Sequence, residues 1–503
     1  MTSQQGKSEK RKMKILLVYP QNPETFWDFK YALKFVSKKA SSPPLGLLTV
    51  AAMLPEGWEK KLCDMTVSKL SDNDIRWADF VFISAMSIQK KSATEVIERC
   101  RSLGVKTVAG GPLFSSNYED FEDVDHLVLG EAEVTLPLFL HDLEKGTAQK
   151  VYRSDEKADI TTTPPPKWEL IQKKKYNSVA IQYTRGCPFN CDFCDVTQLF
   201  GHKLRSKTAE QIVYELENIY RSGWRGGVFF VDDNFIGNKK NLKANILPKI
   251  ISWMKQRKHP FVFNTQCSID LADDIELINM MVSAGFNTVF VGIETPEEES
   301  LAGCGKYQNN NRDLVECVKV IQRHGIQVQG GFILGFDEDK PNIFDRMSEF
   351  IQNSGIVTAM VGLLKAPKGT ELYKRLEREN RLLKNWSGNN TDTEMDFIPK
   401  MDTNTLIDGY NEVIKKLYTP KNFYARVKTL LRNYRPNHSP RPKLRFSDMK
   451  ALVKSFWVIG VVGKGRTHYW RLLFWSMFRC PRSIPIAVTL AIYGFHFRKI
   501  YQV

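Results

Sequence analysis

Six short apolar runs, each separated from the next by a segment with helical spacing, occupy residues 176–367. The runs are SVAIQYT, GVFFVDD, FVFNTQC, TVFVGIE, VQGGFILGF and VTAMVGLL. Strands that alternate with helices form parallel sheets, because each helix returns the chain to the same end of the sheet. The six units therefore predict a partial (β/α)6 barrel, whose functional residues belong at the carboxyl ends of its strands.

A second alternating pattern precedes the barrel, in residues 14–150. Five buried runs, KILLVYP, KKLCD, DFVFISA, VKTVAGG and DHLVLG, are interspersed with helical patterns, which predicts an α/β domain with a doubly wound parallel sheet. We place this first domain at residues 1–150. Residues 151–175 contain a polyproline run and lack an apolar period, so we interpret them as a linker to the barrel at 176–367.

The carboxyl ends of the first-domain strands form a candidate binding edge, because ligands of doubly wound sheets bind there. These ends read SAMSIQ (84–89), AGGP (109–112) and GEAE (130–133). Their small residues would let a flat ligand approach the backbone, although ordinary turn chemistry explains the same residues. The candidate binding residues are Ser84, Met86, Ser87, Gly110, Gly111, Gly130 and Glu131.

Residues 368–503 have helical patterns and a strongly basic end. From Lys421 onward, 17 Lys and Arg accompany one acid, Asp448, whereas the rest of the chain is neutral with 55 residues of each sign. The longest uncharged run of this tail, 483–497, has 15 residues, fewer than the roughly 20 that a spanning helix needs. Interleaved basic and aromatic residues favour an anionic membrane surface; helices packed on the barrel and, least favoured, nucleic-acid binding are the alternatives.

The cysteine content argues against a secreted, disulfide-stabilised protein. Nine cysteines, six of them scattered singly, show no paired spacing, which is typical of a reducing interior. The first fourteen residues, MTSQQGKSEKRKMK, contain no apolar run behind their charges, so we expect no signal peptide. We expect a cytoplasmic protein, peripheral on the inner face of the membrane if the tail binds lipid.

Three cysteines follow the first barrel strand within the stretch RGCPFNCDFCD. Cys187, Cys191 and Cys194 have C-x3-C-x2-C spacing, and the nearest histidine, His202, lies eight residues beyond the last of them. Structural zinc requires four ligands. Three thiolates leave one iron of a 4Fe–4S cluster open to bind a substrate or cofactor, so we predict such a cluster here.

This motif, at this position in a six-unit barrel, resembles the radical S-adenosylmethionine superfamily. The resemblance implies that the three cysteines ligate the cluster, and that its open iron chelates S-adenosylmethionine, which is cleaved reductively to a deoxyadenosyl radical. It also implies contacts with the adenine for Phe193, with the methionyl amine for Asp232 and Asp233, and with the ribose for Glu294. Backbone near the adenine would come from Gly330, Gly331 and Gly335.

A doubly wound domain ahead of such a barrel resembles the cobalamin-binding class of this superfamily. The stretches FWDFKYALKFVSKKASSPPLGLLTVAAMLP and GGPLFSS look like the branch with an uncharacterised C-terminal domain, related to hopanoid methylases and tetraether-lipid ring synthases. The resemblance implies cobalamin at the first-domain edge, with Met86 near its lower face. The D-x-H-x-x-G signature is absent, so the cobalamin would lack a histidine ligand, or the domain serves only as a scaffold.

The activity implied by this resemblance is methylation of an unactivated carbon in a hydrophobic, lipid-like substrate. Radical cyclisation or carbon–carbon coupling is the alternative, and either needs a reductase, flavodoxin or ferredoxin as electron donor. A simple electron carrier would close its cluster with a fourth cysteine. Methylthio transfer needs a second cysteine trio upstream, where only Cys63 and Cys100 occur. We interpret Cys267, Cys304 and Cys317 as buried thiols rather than an auxiliary cluster.

Overall fold

The structure, a computed structural model, describes residues 12–383, 388–389, 391–436 and 446–503. The chain divides into two compact units. The first comprises the described residues up to Asn22 together with 44–158 and 162–171, and the second comprises 23–43, 159–161 and the described residues from Gln172 onward. Most of the N-terminal stretch that carried the signal-peptide expectation, residues 1–11, lies outside the described residues.

The first unit contains one six-stranded parallel sheet in the order β2-β1-β3-β4-β5-β6. Its strands are β1 (Lys14–Tyr19), β2 (Glu59–Asp64), β3 (Phe80–Ser84), β4 (Lys106–Gly110), β5 (His126–Val128) and β6 (Val151–Tyr152). The helices of this half of the chain are α1 (Lys30–Leu33), which belongs to the second unit, and α2 (Leu45–Met53), α3 (Asp72–Trp77), α4 (Lys90–Ser102), α5 (Pro112–Ser116) and α6 (Ala132–Lys145).

Both faces of this sheet are covered, which is why a central strand such as β1 is apolar from Ile15 to Val18. Alternate residues of β1 face opposite cores: Leu16 and Val18 lie in one cluster, and Ile15 and Leu17 lie in the other. The five predicted strands are present. The sixth, β6, lies at the start of the predicted linker and pairs with β5; two residues are too few to produce a periodic pattern.

The second unit contains a six-stranded parallel sheet in the order β14-β13-β12-β11-β10-β7, together with the two-stranded antiparallel pair β8-β9. Its strands are β7 (Ser178–Ile181), β8 (Thr184–Arg185), β9 (Arg205–Ser206), β10 (Gly226–Phe230), β11 (Phe261–Gln266), β12 (Phe286–Glu294), β13 (Gln327–Leu334) and β14 (Ala359–Leu363). Each strand of the large sheet matches one predicted apolar run. The prediction of an α/β fold with parallel sheets is confirmed.

The remaining helices cover this sheet and form the C-terminal region. Several begin with side-chain caps: Thr208 and Gln211 form a capping box before Ala209, and Asp313 caps the helix that starts at Leu314. The helices are α7 (Val196–Phe200), α8 (Ala209–Arg221), α9 (Lys239–Asn241), α10 (Leu247–Gln256), α11 (Ile275–Ala284), α12 (Glu298–Gly303), α13 (Leu314–Arg323), α14 (Ile343–Ser354), α15 (Glu371–Arg378), α16 (Thr403–Tyr418), α17 (Pro420–Asn433), α18 (Phe446–Ser455), α19 (Arg466–Arg479) and α20 (Ile484–Ile500).

Residues 23–43 belong to the second unit although the sequence prediction assigned them to the first domain. The ring of Phe26 stacks on Phe497 with centroids 4.3 Å apart, and Trp27 packs against Phe290 of β12 at 5.4 Å. These aromatic contacts join parts of the chain that are hundreds of residues apart. A periodic pattern reports only local structure, and so it could not reveal this association.

The C-terminal helices form a packed body around buried aromatic rings. Arg426 of α17 is fully buried, and its guanidinium donates to the carbonyl oxygen of Leu417 and lies 5.6 Å from the ring of Tyr418. Burial lowers the pKa of this guanidinium to about 10. In the described ranges, no helix combines the length and the apolar character that crossing a membrane would require.

Candidate functional site

The cysteine motif forms a loop at the carboxyl end of β7. The strands β8 and β9 pair at the base of this loop, and the amide of Cys187 donates to the carbonyl oxygen of Gly201 at 3.3 Å. Gly186 has φ +93°, and a Cβ there would lie 2.9 Å from the carbonyl oxygens of Gly201 and Lys203. Glycine is therefore required for the chain to enter the loop.

The far side of the loop is held by two other segments. The amide of Asp192 donates to the carbonyl oxygen of Cys304 at 3.0 Å, and the amide of Leu372, in α15, donates to the carbonyl oxygen of Asp192 at 2.9 Å. Gly305 has φ +71°, and a Cβ there would lie 2.8 Å from the carbonyl oxygen of Asn190. The residues after α12 thus fix the backbone between the first and second cysteines.

All three thiols are half-buried, so burial governs their protonation. Burial raises the pKa of each thiol, that of Cys194 to about 12, while the positive charge of Lys306 acts in the opposite direction on all three. Cys191 interacts electrostatically with both Cys187 and Cys194. Cluster binding deprotonates cysteine ligands, and Lys306 supplies a positive charge that favours the thiolate forms.

The donor set fits a cluster better than a single metal ion. Within the described residues, no three His, Cys, Asp or Glu side chains converge as ligands of one ion. The three thiolates of a 4Fe–4S cluster bind three different irons, so they need not converge on one point. Cys187, Cys191 and Cys194 on one half-buried loop, without a fourth cysteine in that loop, therefore fit a cluster with one open iron.

The two predicted acids after β10 have different surroundings. Asp232 is fully buried and accepts hydrogen bonds from the amide and the hydroxyl of Thr184 and, at 3.4 Å, from the amide of Tyr183. Burial raises the pKa of this carboxyl to about 7. These hydrogen bonds tie the residues after β10 to Tyr183 and to Thr184 of β8, so the Asp232 carboxylate has a structural task.

Asp233 is the better candidate for binding a cation. Its Oδ2 atom is buried and has no hydrogen-bond partner among the described residues. Burial, together with the nearby charge of Asp195, raises the pKa of the carboxyl to about 6. The charge of Asp233 also acts on the thiol of Cys187. An unpaired acceptor beside the cysteine loop fits an ammonium donor such as the amine of S-adenosylmethionine.

Glu294, the predicted ribose contact, ends β12 and forms a buried ion pair. Its carboxylate lies 2.6 Å from the ammonium of Lys306, and its φ of +65° is uncommon for a residue with a side chain. Both charged groups occupy the space that a side chain at Gly292 would fill. The amide side chain of Asn309 donates to the carbonyl oxygens of Gly292 and Ile293, at 3.1 and 3.0 Å, and holds this turn in place.

The glycines of β13 do not share one environment. Gly330 and Gly331 are buried within the strand, where the rings of Phe332 and Phe290 occupy the positions that their side chains would fill. The structure therefore explains both glycines by packing and does not bring them to an open surface. Gly335, with φ +101°, lies just beyond the carboxyl end of β13, and its amide donates to Asp339 at 2.8 Å.

Phe193 lies between the second and third cysteines and is half-buried. Its ring packs edge-on against Phe336 with centroids 6.0 Å apart, in a cluster that also contains Cys304 and Leu364. Cys304 is buried, and its thiol donates to the carbonyl oxygen of Leu301. The ring of Phe193 therefore helps to anchor the loop.

Sequence reasoning missed Lys306 and Gln308. The side-chain amide nitrogen of Gln308, Nε2, lies 3.9 Å from the sulfur of Cys191. Both residues lie in the irregular stretch GCGKYQNNN after α12, where no period or motif marks a site. Gly305 was the feature of the sequence that could have indicated this part of the site, because a glycine in a polar loop suggests a close backbone contact.

The predicted residues of the first unit meet at the carboxyl ends of β3, β4 and β5. Gly111 has φ +90°, and a Cβ there would lie 2.6 Å from the hydroxyl of Ser84. A Cβ at Gly110 would lie 2.6 Å from the carbonyl oxygen of Val128, and the amide of Gly130 donates to the hydroxyl of Ser115 at 2.9 Å. The glycines thus bring three strand ends close together.

Three more predicted residues differ in how open they are. Met86 is 53% exposed, whereas Ser87 is half-buried at the start of a short helical turn. Glu131 is buried and accepts a hydrogen bond from the amide of Ala158 at 3.2 Å, so its carboxylate has a structural partner. Gly130 is exposed as well, so the thioether of Met86 and the backbone of Gly130 are both open to solvent.

This edge fits a corrin ring without a histidine ligand. His126 lies at the opposite end of β5, where its ring contacts the carbonyl oxygen of Gln149 at 2.6 Å. None of the seven predicted edge residues is a histidine. A flat, largely apolar ligand could approach the exposed Met86 and Gly130.

Three family models match consecutive parts of this chain. A model of the B12 binding domain matches residues 36–140, a model of the radical SAM superfamily matches residues 181–351, and a model of a domain of unknown function, DUF4070, matches residues 370–503. The first two matches contain the binding edge and the cysteine loop, respectively.

Two curated relatives match nearly the whole chain. An uncharacterized methyltransferase of Synechocystis sp. is 39% identical over 502 residues, covering 98% of this chain and 92% of the relative. The hopanoid C-2 methylase of Rhodopseudomonas palustris is 31% identical over 492 residues, covering 95% of this chain and 92% of the relative. This chain belongs to the cobalamin-binding radical S-adenosylmethionine enzymes.

A solved structure shows the same fold as this radical enzyme. The cobalamin-dependent S-adenosylmethionine radical enzyme OxsB, solved with aqua-cobalamin and S-adenosylmethionine bound, aligns with a TM-score of 0.62 and 16% identity. The alignment covers 98% of this chain and 84% of OxsB. The predicted family, enzyme class and cofactors are confirmed: the enzyme uses a 4Fe–4S cluster, S-adenosylmethionine and cobalamin. The individual site residues stay predictions.

Proposed function

We propose that this radical enzyme methylates an unactivated carbon of a hydrophobic, lipid-like substrate. The main support is its similarity to two relatives described as methyltransferases, one of which is a hopanoid C-2 methylase. This chain spans 92% of each relative, so the similarity includes the domains on both sides of the barrel. Large apolar substrates also agree with a C-terminal region rich in aromatic and basic residues.

The cysteine loop and the adjoining strand ends would hold the cluster and S-adenosylmethionine. Cys187, Cys191 and Cys194 are the cluster ligands, the unpaired oxygen of Asp233 accepts from the methionyl amine, and the carboxylate of Glu294 accepts from ribose hydroxyls. The ion pair with Lys306 holds the Glu294 carboxylate in one orientation. When bound, the cofactors supply the radical that removes hydrogen from the substrate and the methyl group that replaces it.

The edge of the first unit would hold cobalamin. Gly110 and Gly111 let the ends of β3, β4 and β5 lie close together, and Gly130 and Met86 are exposed at these strand ends. Retention of cobalamin by the purified protein is the direct test. We expect Met86→Glu to lower retention, because it places a carboxylate against an apolar ring, and Met86→Leu to preserve it. Equal retention by both variants would remove Met86 from the binding surface.

The enzyme also needs an electron donor and access to its substrate. We infer a reductase, flavodoxin or ferredoxin as donor, because cleavage of S-adenosylmethionine by such a cluster consumes one electron. We further infer that the protein is cytoplasmic and peripheral at the inner face of the membrane, since the basic excess of the chain lies in residues 421–503. Nucleic acid is not expected as a partner.

The decisive experiment is an anaerobic assay with labelled cofactor. The protein is reconstituted with iron, sulfide and hydroxocobalamin, then reduced with dithionite in the presence of a lipid extract and S-adenosylmethionine that carries a deuterated methyl group. We expect deoxyadenosine, S-adenosylhomocysteine and a lipid with one deuterated methyl group in the mass spectrum. Deoxyadenosine without labelled lipid, from protein that retains no corrin, would contradict methylation and favour cyclisation or coupling.

A further inference from the structure

Two helical arms of the C-terminal region leave an apolar stripe exposed. The first arm is α18 and the π-helical segment Phe456–Val461 that continues it. Met449, Val453, Trp457 and Val461 follow one another at intervals of four residues along this arm, and each is about half exposed or more. Trp457 is 65% exposed. Residues four apart lie on one helical face, so these side chains form a continuous outer stripe.

The second arm, α19, carries a matching stripe. Phe474 and Phe478 are again four residues apart, and Met477 lies beside them; Phe478 is 78% exposed. Trp470, one turn earlier, packs on Phe474 with centroids 6.2 Å apart. The outer face of α19 therefore presents large apolar side chains along its second half.

The two stripes belong to one surface because the arms are joined between them. The ring of Trp470 lies 5.5 Å from that of Phe456, and its indole nitrogen donates to the carbonyl oxygen of Gly460 at 2.9 Å. A Cβ at Gly460 would lie 3.1 Å from Trp470, so glycine allows this close approach. We call the two arms and the turn between them, residues 446–479, the C-terminal hairpin.

The exposed stripes are not the core of the hairpin. Its core lies on the other side, where Ile459 and Leu472 are buried and the hydroxyls of Ser455 and Tyr469 lie 2.9 Å apart. The outer side chains therefore remain in contact with water after the hairpin has folded. An apolar surface of this extent in a folded protein indicates a binding surface.

The positive charges around this surface indicate which kind of partner it binds. Residues 446–503 contain nine Lys and Arg and one acid, Asp448, a net charge of +8. The exposed cations of and next to the hairpin are Lys450, Lys454, Lys464, Arg466, Arg471, Arg479 and Arg482. Two copies of this surface would repel each other. An anionic bilayer offers both an apolar interior for the stripes and negative headgroups for the cations.

We propose that the C-terminal hairpin lies in the interface of an anionic phospholipid bilayer, with Trp457, Phe474 and Phe478 inserted among the acyl chains. The proposal builds on the peripheral location proposed above and identifies the residues that produce it. The surrounding lysines and arginines contact headgroup phosphates. Trp and Phe are typical of the apolar face of an interfacial helix, which lies at the boundary between headgroups and acyl chains. A bilayer contact on the C-terminal region would hold the enzyme where lipid substrates are concentrated.

The test is co-sedimentation of the full-length protein with vesicles of mixed phosphatidylcholine and phosphatidylglycerol. We expect binding that weakens with salt and is absent with phosphatidylcholine alone. The paired variant Trp457→Ser/Phe478→Ser removes both inserted rings. We expect its affinity for the vesicles to fall by about tenfold or more. The matched control is Leu138→Ser/Tyr214→Ser, which removes two exposed side chains elsewhere (52% and 59% exposed) and should bind as the wild type does.

A second measurement locates the inserted side chain. Lipids brominated on their acyl chains should quench part of the tryptophan fluorescence of the wild type, and the variant Trp457→Phe should lose that quenched part while still binding. The proposal is overturned if the paired variant sediments like the wild type or if Trp457→Phe is quenched to the same degree. It is also overturned if the paired substitution abolishes self-association or RNA binding while vesicle binding stays unchanged.

The outcome is separable from that of the methylase assay. Reductive cleavage of S-adenosylmethionine can be measured without lipid, and we expect the paired variant to cleave it at the wild-type rate. Loss of vesicle binding with intact cleavage supports the hairpin proposal alone. Failure of every form of the protein to produce a labelled lipid, with vesicle binding intact, would reject the methylase function and leave the hairpin proposal standing.

Discussion

The ammonium of Lys306 lies 2.6 Å from a carboxylate oxygen of Glu294, and the side chains are only 13% and 9% exposed. Although burial alone would lower the pKa of this lysine, Glu294 and the thiol of Cys191 raise it. The pair thus connects the end of β12 to the cysteine loop. One buried cation serves both the predicted ribose contact and the predicted cluster ligands.

Lys306→Met should be strongly destabilising, because it leaves the Glu294 carboxylate buried without its partner. Breaking a buried ion pair in this way costs about 3–5 kcal/mol. The exposed pair Lys340–Glu299, at 2.8 Å and with side chains 61% and 66% exposed, is the control; Lys340→Met should change the stability little, because water screens an exposed ion pair. The midpoint of thermal unfolding of the protein without added cofactors measures both.

The double variant Glu294→Gln/Lys306→Met measures how much stability comes from the interaction between the two charges. Removal of both charges should recover much of the stability lost in the single variant, because no uncompensated charge remains buried. We also expect this double variant to bind S-adenosylmethionine more weakly in equilibrium dialysis. If the double variant lost as much stability as the two single variants combined, the two charges would not stabilise each other.

Cys191→Ala should abolish the iron–sulfur cluster, because two thiolates cannot replace three on a four-iron cluster. Iron and sulfide content after anaerobic reconstitution, together with the visible absorbance of the cluster, measures the loss directly. Cys317→Ala is the control, since this half-buried thiol lies on α13 and not in the loop. Equal iron content in the two variants would contradict the assignment of the cysteine loop.

Gly305→Ala should destabilise the cysteine loop for two reasons: alanine disfavours the left-handed backbone conformation, and its Cβ would clash with a neighbouring carbonyl oxygen. An alanine there would have φ near +71° and a Cβ 2.8 Å from the carbonyl oxygen of Asn190. Gly104→Ala provides a close match: its φ is +68°, and no atom lies within 4 Å of the added carbon. The left-handed conformation costs each variant about 1–2 kcal/mol.

The two glycine variants are compared by unfolding midpoint and by iron content. We expect Gly104→Ala to lower the midpoint slightly and to keep a full cluster. Gly305→Ala should lower the midpoint further and lose cluster, because the backbone between the first two cysteines must shift. A full cluster in Gly305→Ala would show that the contact with Asn190 does not set the positions of the thiols.

Asp232→Asn should change how stability depends on pH. The pKa of the buried carboxyl is about 7 in the folded protein and about 4 in an unfolded chain. Between these values the folded protein holds a proton that the unfolded chain has released, so this group lowers stability as pH rises from about 4 to about 7. The asparagine variant has no proton to lose there and should lack this contribution.

Chemical denaturation at several pH values measures this difference. The stability of wild type minus that of Asp232→Asn should fall as pH rises towards about 7 and level off above it. Other buried carboxyls contribute equally to both proteins and therefore cancel. A difference that rises with pH would mean that the hydrogen bonds from Thr184 and Tyr183 outweigh burial and keep Asp232 ionised.

Local patterns in the sequence predicted the strands well because each strand is a short apolar run. Every predicted strand of both sheets is present, with β6 as an unpredicted addition. Glycine is harder to interpret. Gly330 and Gly331 are predicted to lie near the adenine, and the rings of Phe332 and Phe290 occupy the positions that their side chains would fill. A glycine signals close approach, but the sequence does not say whether a ligand or a side chain approaches it.

The sequence by itself determined the parallel α/β class, the three-cysteine motif after the first barrel strand and the basic C-terminal region, because each is written in consecutive residues. Only the tertiary structure decided that Lys306 pairs with Glu294, that Asp233 rather than Asp232 keeps an unpaired oxygen, and that residues 23–43 belong to the second unit. These relationships join residues that are distant in sequence or depend on which side chain is buried. The order of residues in the sequence shows neither the distance between two side chains nor the burial of either.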